Sequence, residues 1–235
     1  MISPTYTSGT DSINWESYEP TTYNGAVVIL AYGSDGMAPP WASMIRDHAQ
    51  ALAAKGILAI IPDYFQKGVG APHGDSVSVF GMIGARHAEW ETALDDAVTE
   101  AAKLPNIDPS RIGLWGYSLG VFLCLRIRKR AAALVDFCGP YQFPTIGKPL
   151  LSGFAPSLNP NRGLKVQIHH GSADGLVPFD VHATAIEADL KAELATVTTF
   201  KYTDAGHGFA SNSAADRTAI ADSTQEAIDF LTTKL

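Results

Sequence analysis

Cysteine is nearly absent from this chain, with Cys124 and Cys138 the two in 235 residues. Both lie in apolar runs, so buried free thiols are expected rather than a disulfide. No Cys/His spacing suits a metal ion, and neither metal nor cofactor is expected. Basic charge is scarce too: 17 Lys and Arg stand against 24 Asp and Glu, for a net charge of −7. With the signs interspersed, there is no basic face for nucleic acid. Arg126, Arg128, Lys129 and Arg130 form the one basic cluster, at the end of an expected helix where cations complement the helix dipole. No apolar run approaches membrane-spanning length. Met1-Ile2-Ser3-Pro4-Thr5 has neither the basic start nor the apolar stretch of a signal peptide. A cytoplasmic protein with no membrane or nucleic-acid partner is the expectation.

What is present is a pattern of alternation. Apolar, strand-like runs at Val27–Tyr32, Ile57–Pro62, Ile112–Trp115, Ala132–Phe137, Lys165–His170 and Thr196–Tyr202 are separated by helical segments. Those segments are expected at Pro39–Lys55, Arg86–Leu104, after Ser118, at Phe179–Leu194 and at Ser213–Thr232. Near-continuous apolar strands are covered on both faces. The pattern therefore predicts an α/β fold, a mostly parallel central sheet with helices on both faces. The length suits a single domain over residues 1–235. Edge strands are expected near Tyr6 and Trp15. Residues 63–85, with one short helix near Val77, and Tyr141–Arg162, with four prolines, read as mostly loop.

The most informative stretch is Gly116-Tyr117-Ser118-Leu119-Gly120, between an apolar strand and a helix. A serine at such a turn is held in strained geometry with its hydroxyl clear of the sheet edge. The Leu119 amide, at the positive end of the helix, points to where a carbonyl oxygen would become negative. Serine is also a common helix cap, so the turn alone does not make a nucleophile. The remainder of the chain supplies what a nucleophile needs, a base and an acid that orients it. Asp174 follows the strand Val166–His170 in a Gly-rich turn, and His207 follows the last strand between Gly206 and Gly208. Asp180 and Asp204 are rival acids, and Asp204 sits too close to His207 in sequence for the usual arrangement. The chain order Ser, Asp, His is that of the α/β-hydrolase fold. All three fall just past the carboxyl ends of strands, where open α/β sheets place ligands.

These segments resemble the dienelactone hydrolase family of the α/β-hydrolases. The likeness is carried by Val27–Gly33, Ile61-Pro62-Asp63-Tyr64-Phe65, the serine turn, His170-Gly171-Ser172-Ala173-Asp174 with Val177-Pro178, and Gly206-His207-Gly208-Phe209. The resemblance implies the α/β-hydrolase fold and an ester-hydrolysing triad of Ser118, Asp174 and His207. The best-known members have a cysteine where this chain has Ser118. They also have a glutamate near the position of Gly33 and Ser34, and an arginine shortly after the histidine, where this chain reads Phe209-Ala210-Ser211. Hydrolysis of small esters or lactones is thus implied, and true dienelactone hydrolysis is not.

The second oxyanion donor is expected from the backbone amide of Ser34, with Gly33 and Asp35 as neighbours. Tyr32 and Tyr117 read as site-lining or as core aromatics. Phe143, Leu150, Leu151, Phe154, Phe65 and Phe209 are candidates for an apolar pocket, and Arg86 or Arg162 for contact with a substrate carboxylate. His169 and His170 read as packing. The expected partner is a small ester or lactone. An acyltransferase would use the same triad with a non-water acceptor, and a non-catalytic binding protein could share the fold.

Overall fold

The computed structural model describes residues 2–145, 148–152 and 163–235. The chain opens on β1 (Thr5–Ser8) and β2 (Asp11–Tyr18), an antiparallel pair. Then come β3 (Val27–Ala31), α1 (Trp41–Ala54), β4 (Leu58–Pro62), α2 (Ser76–Ala101), β5 (Ile112–Tyr117), α3 (Leu119–Ile127) and β6 (Ala133–Phe137). A β7 (Gln142–Thr145) and β8 (Lys148–Ser152) pair is followed by β9 (Lys165–Gly171), α4 (Ala183–Ala192), β10 (Thr196–Tyr202) and α5 (Ala214–Lys234).

Eight strands form one sheet in the order β1-β2-β4-β3-β5-β6-β9-β10. From β4 to β10 every pairing is parallel, and β2 joins β4 antiparallel. The residues of β3, β4, β5 and β6 are all buried, as their apolar runs require, with Asp136 of β6 the one charged residue among them. Gly113 packs under Leu231 of α5 and Leu235 just after it, whereas Gly116, three residues on, packs under Val121 of α3. Side chains alternate along a strand, so α5 and α3 cover opposite faces. Helix α1 packs with α5, and α2 with α3. This is the mostly parallel sheet that the sequence pattern predicts and the α/β-hydrolase arrangement that the resemblance implies.

The chain leaves β3 for β4 on one side and then crosses back to β5 on the other. The carboxyl ends of β3 and β5 therefore flank the crevice where strand order reverses, the usual ligand position in open α/β sheets.

Two expectations need correction. Helix α2 starts at Ser76, not Arg86, and runs 26 residues. The Asp75 side chain caps it by accepting from the Ser78 amide at 3.0 Å. Gly81 and Gly84, poor helix formers, break the periodic signal in its first half. The stretch after β6 includes the antiparallel β7–β8 pair, with an irregular register between Phe143 and Thr145. Pro144 has no N–H for the ladder, so such a strand survives only outside a continuous sheet or at a bulge.

Candidate active site

Ser118 follows β5 directly and has φ 49° and ψ −116°, a conformation costly for a non-glycine residue. The turn is tight enough that its glycines have no substitutes. A Cβ on Gly116 would lie 2.5 Å from the Val121 backbone, and one on Gly120 would lie 1.9 Å from the Ala31 carbonyl oxygen. The Ser118 amide donates to the Phe137 carbonyl at 2.9 Å. Its side chain makes no helix-cap bond. The capping role that competes for this residue is therefore unfilled, and the hydroxyl faces His207.

His207 begins a short 3₁₀ turn after β10. Its Nε2 lies 3.2 Å from Ser118 Oγ, and its Nδ1 lies 2.7 Å from Asp174 Oδ2. The Asp174 carboxylate is buried and takes donors on both oxygens. Oδ1 accepts from the amides of Leu176 at 3.0 Å and Val177 at 2.7 Å, and Oδ2 has His170 Nε2 at 3.2 Å as well as His207. Burial alone would raise Asp174, but hydrogen bonds from His170 and His207 hold it well below the carboxylate range. For His207, burial disfavours the charged ring. The charge of Cys138, whose Sγ is 4.0 Å from Nε2, and the bond to Asp174 outweigh burial and push the imidazole up to about 10. Of the rival acids, Asp180 pairs with Lys201 at 3.0 Å on the surface. Asp204 is exposed in a left-handed turn. Only Asp174 meets the imidazole.

A buried carboxylate also fixes the loop that carries His207. Asp216, at the start of α5, accepts from the amides of Gly206 at 2.7 Å and Ser211 at 2.8 Å.

Two cavities meet at Ser118. The smaller, about 120 Å³, runs past Gly33 and Ser34 toward Trp41, Met44 and Cys138. The larger, about 530 Å³, runs between Phe80, Ile83, Phe143, Leu176, Val181 and His182. The β3–α1 loop closes on the serine, since a Cβ on Gly33 would stand 3.3 Å from Ser118 Cβ. Ser34 is buried beside it. Leu119 is the first residue of α3, so its amide is among those a helix start leaves without an intrahelical partner.

The expected substrate contacts divide. Phe143 lines the larger cavity and Tyr117 the smaller, although the Tyr117 hydroxyl turns away to His48 Nδ1 at 2.8 Å. Tyr32 lines neither; it is fully buried, stacks on Tyr64 at 4.2 Å and donates to Asp63 at 2.7 Å. Phe209 is also a packing residue, set edge-on to Tyr202 and Phe137. Phe65 packs on Trp90 and Tyr64. Arg86 does not reach either cavity, because Glu89 and the Lys67 carbonyl hold its guanidinium. Leu151 packs against the core. Phe154, Arg162 and the Leu150 side chain lie outside the described residues.

The apolar walls come instead from Phe80 and Ile83 on α2 and from Leu176 and Val181 around the Asp174 turn. Nothing in the sequence marks them as a wall until α2 is known to begin at Ser76. Cys138 and Asp216 carry no sequence signal as neighbours of the site, and His170, read from the sequence as packing, touches Asp174. Among the described residues, no group of His, Cys, Asp and Glu is arranged to hold a metal ion. Nor is any helix long and apolar enough to cross a membrane.

The sequence matches the dienelactone hydrolase family over residues 16–235. A search of curated proteins finds no match. Solved structures with the same fold include a Klebsiella pneumoniae protein assigned as a dienelactone hydrolase. It is 21% identical with a TM-score of 0.74, and the match covers 97% of this chain and 95% of that one. A dienelactone hydrolase-like promiscuous phosphotriesterase from metagenomic libraries is 19% identical, with a TM-score of 0.74 and coverage of 98% and 96%. The acylaminoacyl peptidase of Pyrococcus horikoshii is 16% identical, with a TM-score of 0.71; the match covers 98% of this chain and 41% of that one.

Proposed function

The chain belongs to the dienelactone hydrolase family and is a carboxylic-ester hydrolase; from that premise we propose that it cleaves small neutral esters or lactones through Ser118, His207 and Asp174, within one α/β-hydrolase domain. The observation that carries this reading is the unbroken chain of contacts from Ser118 Oγ to His207 Nε2 at 3.2 Å, and from His207 Nδ1 to Asp174 Oδ2 at 2.7 Å.

In this reading His207 Nε2 takes the Ser118 proton as Oγ attacks the ester carbonyl carbon. The carbonyl electrons move onto oxygen, where the amides of Leu119 and Ser34 are the candidate donors. When the tetrahedral intermediate collapses, the C–O bond to the alcohol breaks and His207 returns the proton to the departing oxygen. A water molecule then gives a proton to His207 and attacks the acyl-serine carbon. The acid leaves, and Ser118 recovers its proton. Asp174 keeps the imidazole in the tautomer with its proton on Nδ1 and stabilises the charged ring.

The two cavities supply room for two arms of an ester on either side of Ser118. Their walls favour apolar arms, since Phe80, Ile83, Phe143, Leu176 and Val181 line the larger one. The test is covalent labelling followed by mass spectrometry. An aryl phosphonate is expected to modify Ser118 and abolish ester hydrolysis. Ser118→Ala is expected to lower kcat by about three powers of ten with the fold intact. Normal turnover by folded Ser118→Ala would refute the assignment.

A further inference from the structure

Behind Asp174 lies a second carboxylate and a second imidazole that the reaction scheme above leaves unused. Asp136 of β6 and His170 of β9 both have no exposed surface. They share one face of the sheet, because Asp136 is level with Ile168 and His170 lies two residues further along the same strand. Asp136 Oδ1 accepts from the Gly139 amide at 2.8 Å, but Oδ2 has no hydrogen-bond partner among the described residues. His170 Nε2 lies 2.6 Å from the Val177 carbonyl and 3.2 Å from Asp174 Oδ2, while its Nδ1 has no partner among the described residues. A carbonyl only accepts, so Nε2 carries a proton and donates it toward Val177 and Asp174. One acidic oxygen and one ring nitrogen are thus left over in the buried interior, where an unsatisfied polar group is costly and an isolated charge more so.

We propose that Asp136 and His170 hold one further proton as a pair, and that through His170 they act as positioning residues for Asp174. The inference rests on the Ser118–His207–Asp174 reading. With that proton on His170 Nδ1 the pair is an imidazolium beside a carboxylate, neutral overall, and no uncompensated charge is buried. Asp136 is the fitting partner, since burial pushes its carboxyl up to about 6 and the charge of His170 opposes that rise. His170 donates to the same Asp174 oxygen that receives the His207 proton. It thereby fixes the carboxylate in place and draws electron density from it, which lowers the basicity of His207. The other titratable groups around the pair are Cys124 on α3, His182 before α4 and Lys201 across from His170 on β10. Cys124 is coupled electrostatically to Asp136, His182 is held down mainly by its own burial and then by His170, and Lys201 is engaged by Asp180.

Two measurements test this. The first needs no activity: nitrogen-15 NMR of the histidine rings in the wild type and in Asp136→Asn, with the His170 signals identified by their loss in His170→Leu. If the pair holds its proton, wild-type His170 Nδ1 carries or shares a proton across pH 5.5 to 8 and loses it in Asp136→Asn. A bare Nδ1 in both proteins would overturn the proposal. The second is kinetic. His170→Leu removes the donor to Asp174, so kcat falls about tenfold with KM within about twofold. The acid-side midpoint of kcat/KM rises by at least half a pH unit. His170→Gln, which keeps an N–H donor, recovers most of kcat. Asp136→Asn raises the midpoint in the same direction, because a neutral His170 is the weaker donor. Folded variants that overlay the wild type in kcat and midpoint would overturn the proposal. If His170→Leu does not fold, Asp136→Asn and the wild-type NMR signals decide it. If the wild type hydrolyses no ester, the functional reading fails while the NMR result still stands.

Discussion

Cys138 Sγ stands 4.0 Å from His207 Nε2, the same nitrogen that reaches Ser118 Oγ at 3.2 Å. The thiol is held there by a backbone in the left-handed region, φ 50°, at the carboxyl end of β6. Its amide donates to the His169 carbonyl at 3.0 Å. A residue outside the proposed triad therefore stands beside its proposed base.

The first prediction follows from that contact. His207 acts as a base only when neutral, so kcat/KM climbs as pH rises through its folded pKa. Burial lowers that pKa, but the charge of Cys138 and the bond to Asp174 push it up to about 10. Cys138→Ala removes one of the two raising groups. The midpoint of kcat/KM should then move down toward the ordinary histidine value near 6.5. The linked stability has a fixed sign. A histidine raised in the folded state contributes stability that is full below its unfolded pKa and is lost as pH rises through the folded one. Between about pH 6.5 and 10, wild type should accordingly lose more stability than Cys138→Ala. Rate profiles from about pH 5 to 10.5 for both proteins check the kinetic shift, and coincident midpoints would refute it.

Much of the fold is legible because the chain obeys simple patterns. Val27–Ala31 and Leu58–Pro62 are continuous apolar runs, and Ala133–Phe137 is broken by Asp136 alone, as strands buried on both faces require. Ser118, Asp174 and His207 are readable because each sits just past a strand in a glycine-containing turn. The larger cavity is not legible. Its walls come from Phe80 and Leu176, which are distant in sequence, and Gly81 and Gly84 mask the helical period that brings Phe80 to the site. Tyr32 and Phe209 mislead for a related reason. Neighbours of a catalytic turn in sequence are as often anchored in the core as aimed at the substrate, and only packing tells the two apart. Arg86 misleads because its partners, Glu89 and the Lys67 carbonyl, are local contacts that neutralise it before it reaches the cleft.

The second prediction concerns Asp216. Its carboxylate accepts from the amides on either side of the His207 turn, Gly206 and Ser211. Asp216→Ala would leave two backbone donors in a largely buried place without acceptors. Destabilisation of about 1–3 kcal/mol is expected. A fall in kcat should accompany it, because the Gly206 peptide leads directly into His207. Asp216→Asn keeps one acceptor oxygen and should fall between. Urea denaturation and steady-state kinetics on both variants check this. Wild-type kcat in Asp216→Ala would mean that the turn holds His207 without its carboxylate anchor.

The third prediction concerns charge on the substrate. Among the described residues lining the two cavities there is no Lys or Arg, and Asp35 contributes a negative group. Arg86 is committed elsewhere. A substrate carboxylate would shed its water without gaining a cation, and an unpaired desolvated charge is costly. The walls offer Phe80, Phe143 and Leu176 instead, which repay the burial of uncharged apolar surface at about 25 cal/mol per Å². Neutral short-chain esters or lactones should accordingly be turned over faster than carboxylate-bearing lactones of the same skeleton. Leu176→Asp should weaken the neutral substrate mainly through KM, since it spoils a wall and not the reacting groups. The decisive comparison is kcat/KM for a matched pair, a neutral lactone and its carboxylate analogue. A value more than about tenfold higher for the carboxylate, about 1.4 kcal/mol of transition-state preference, would defeat the prediction and require a cation at the site.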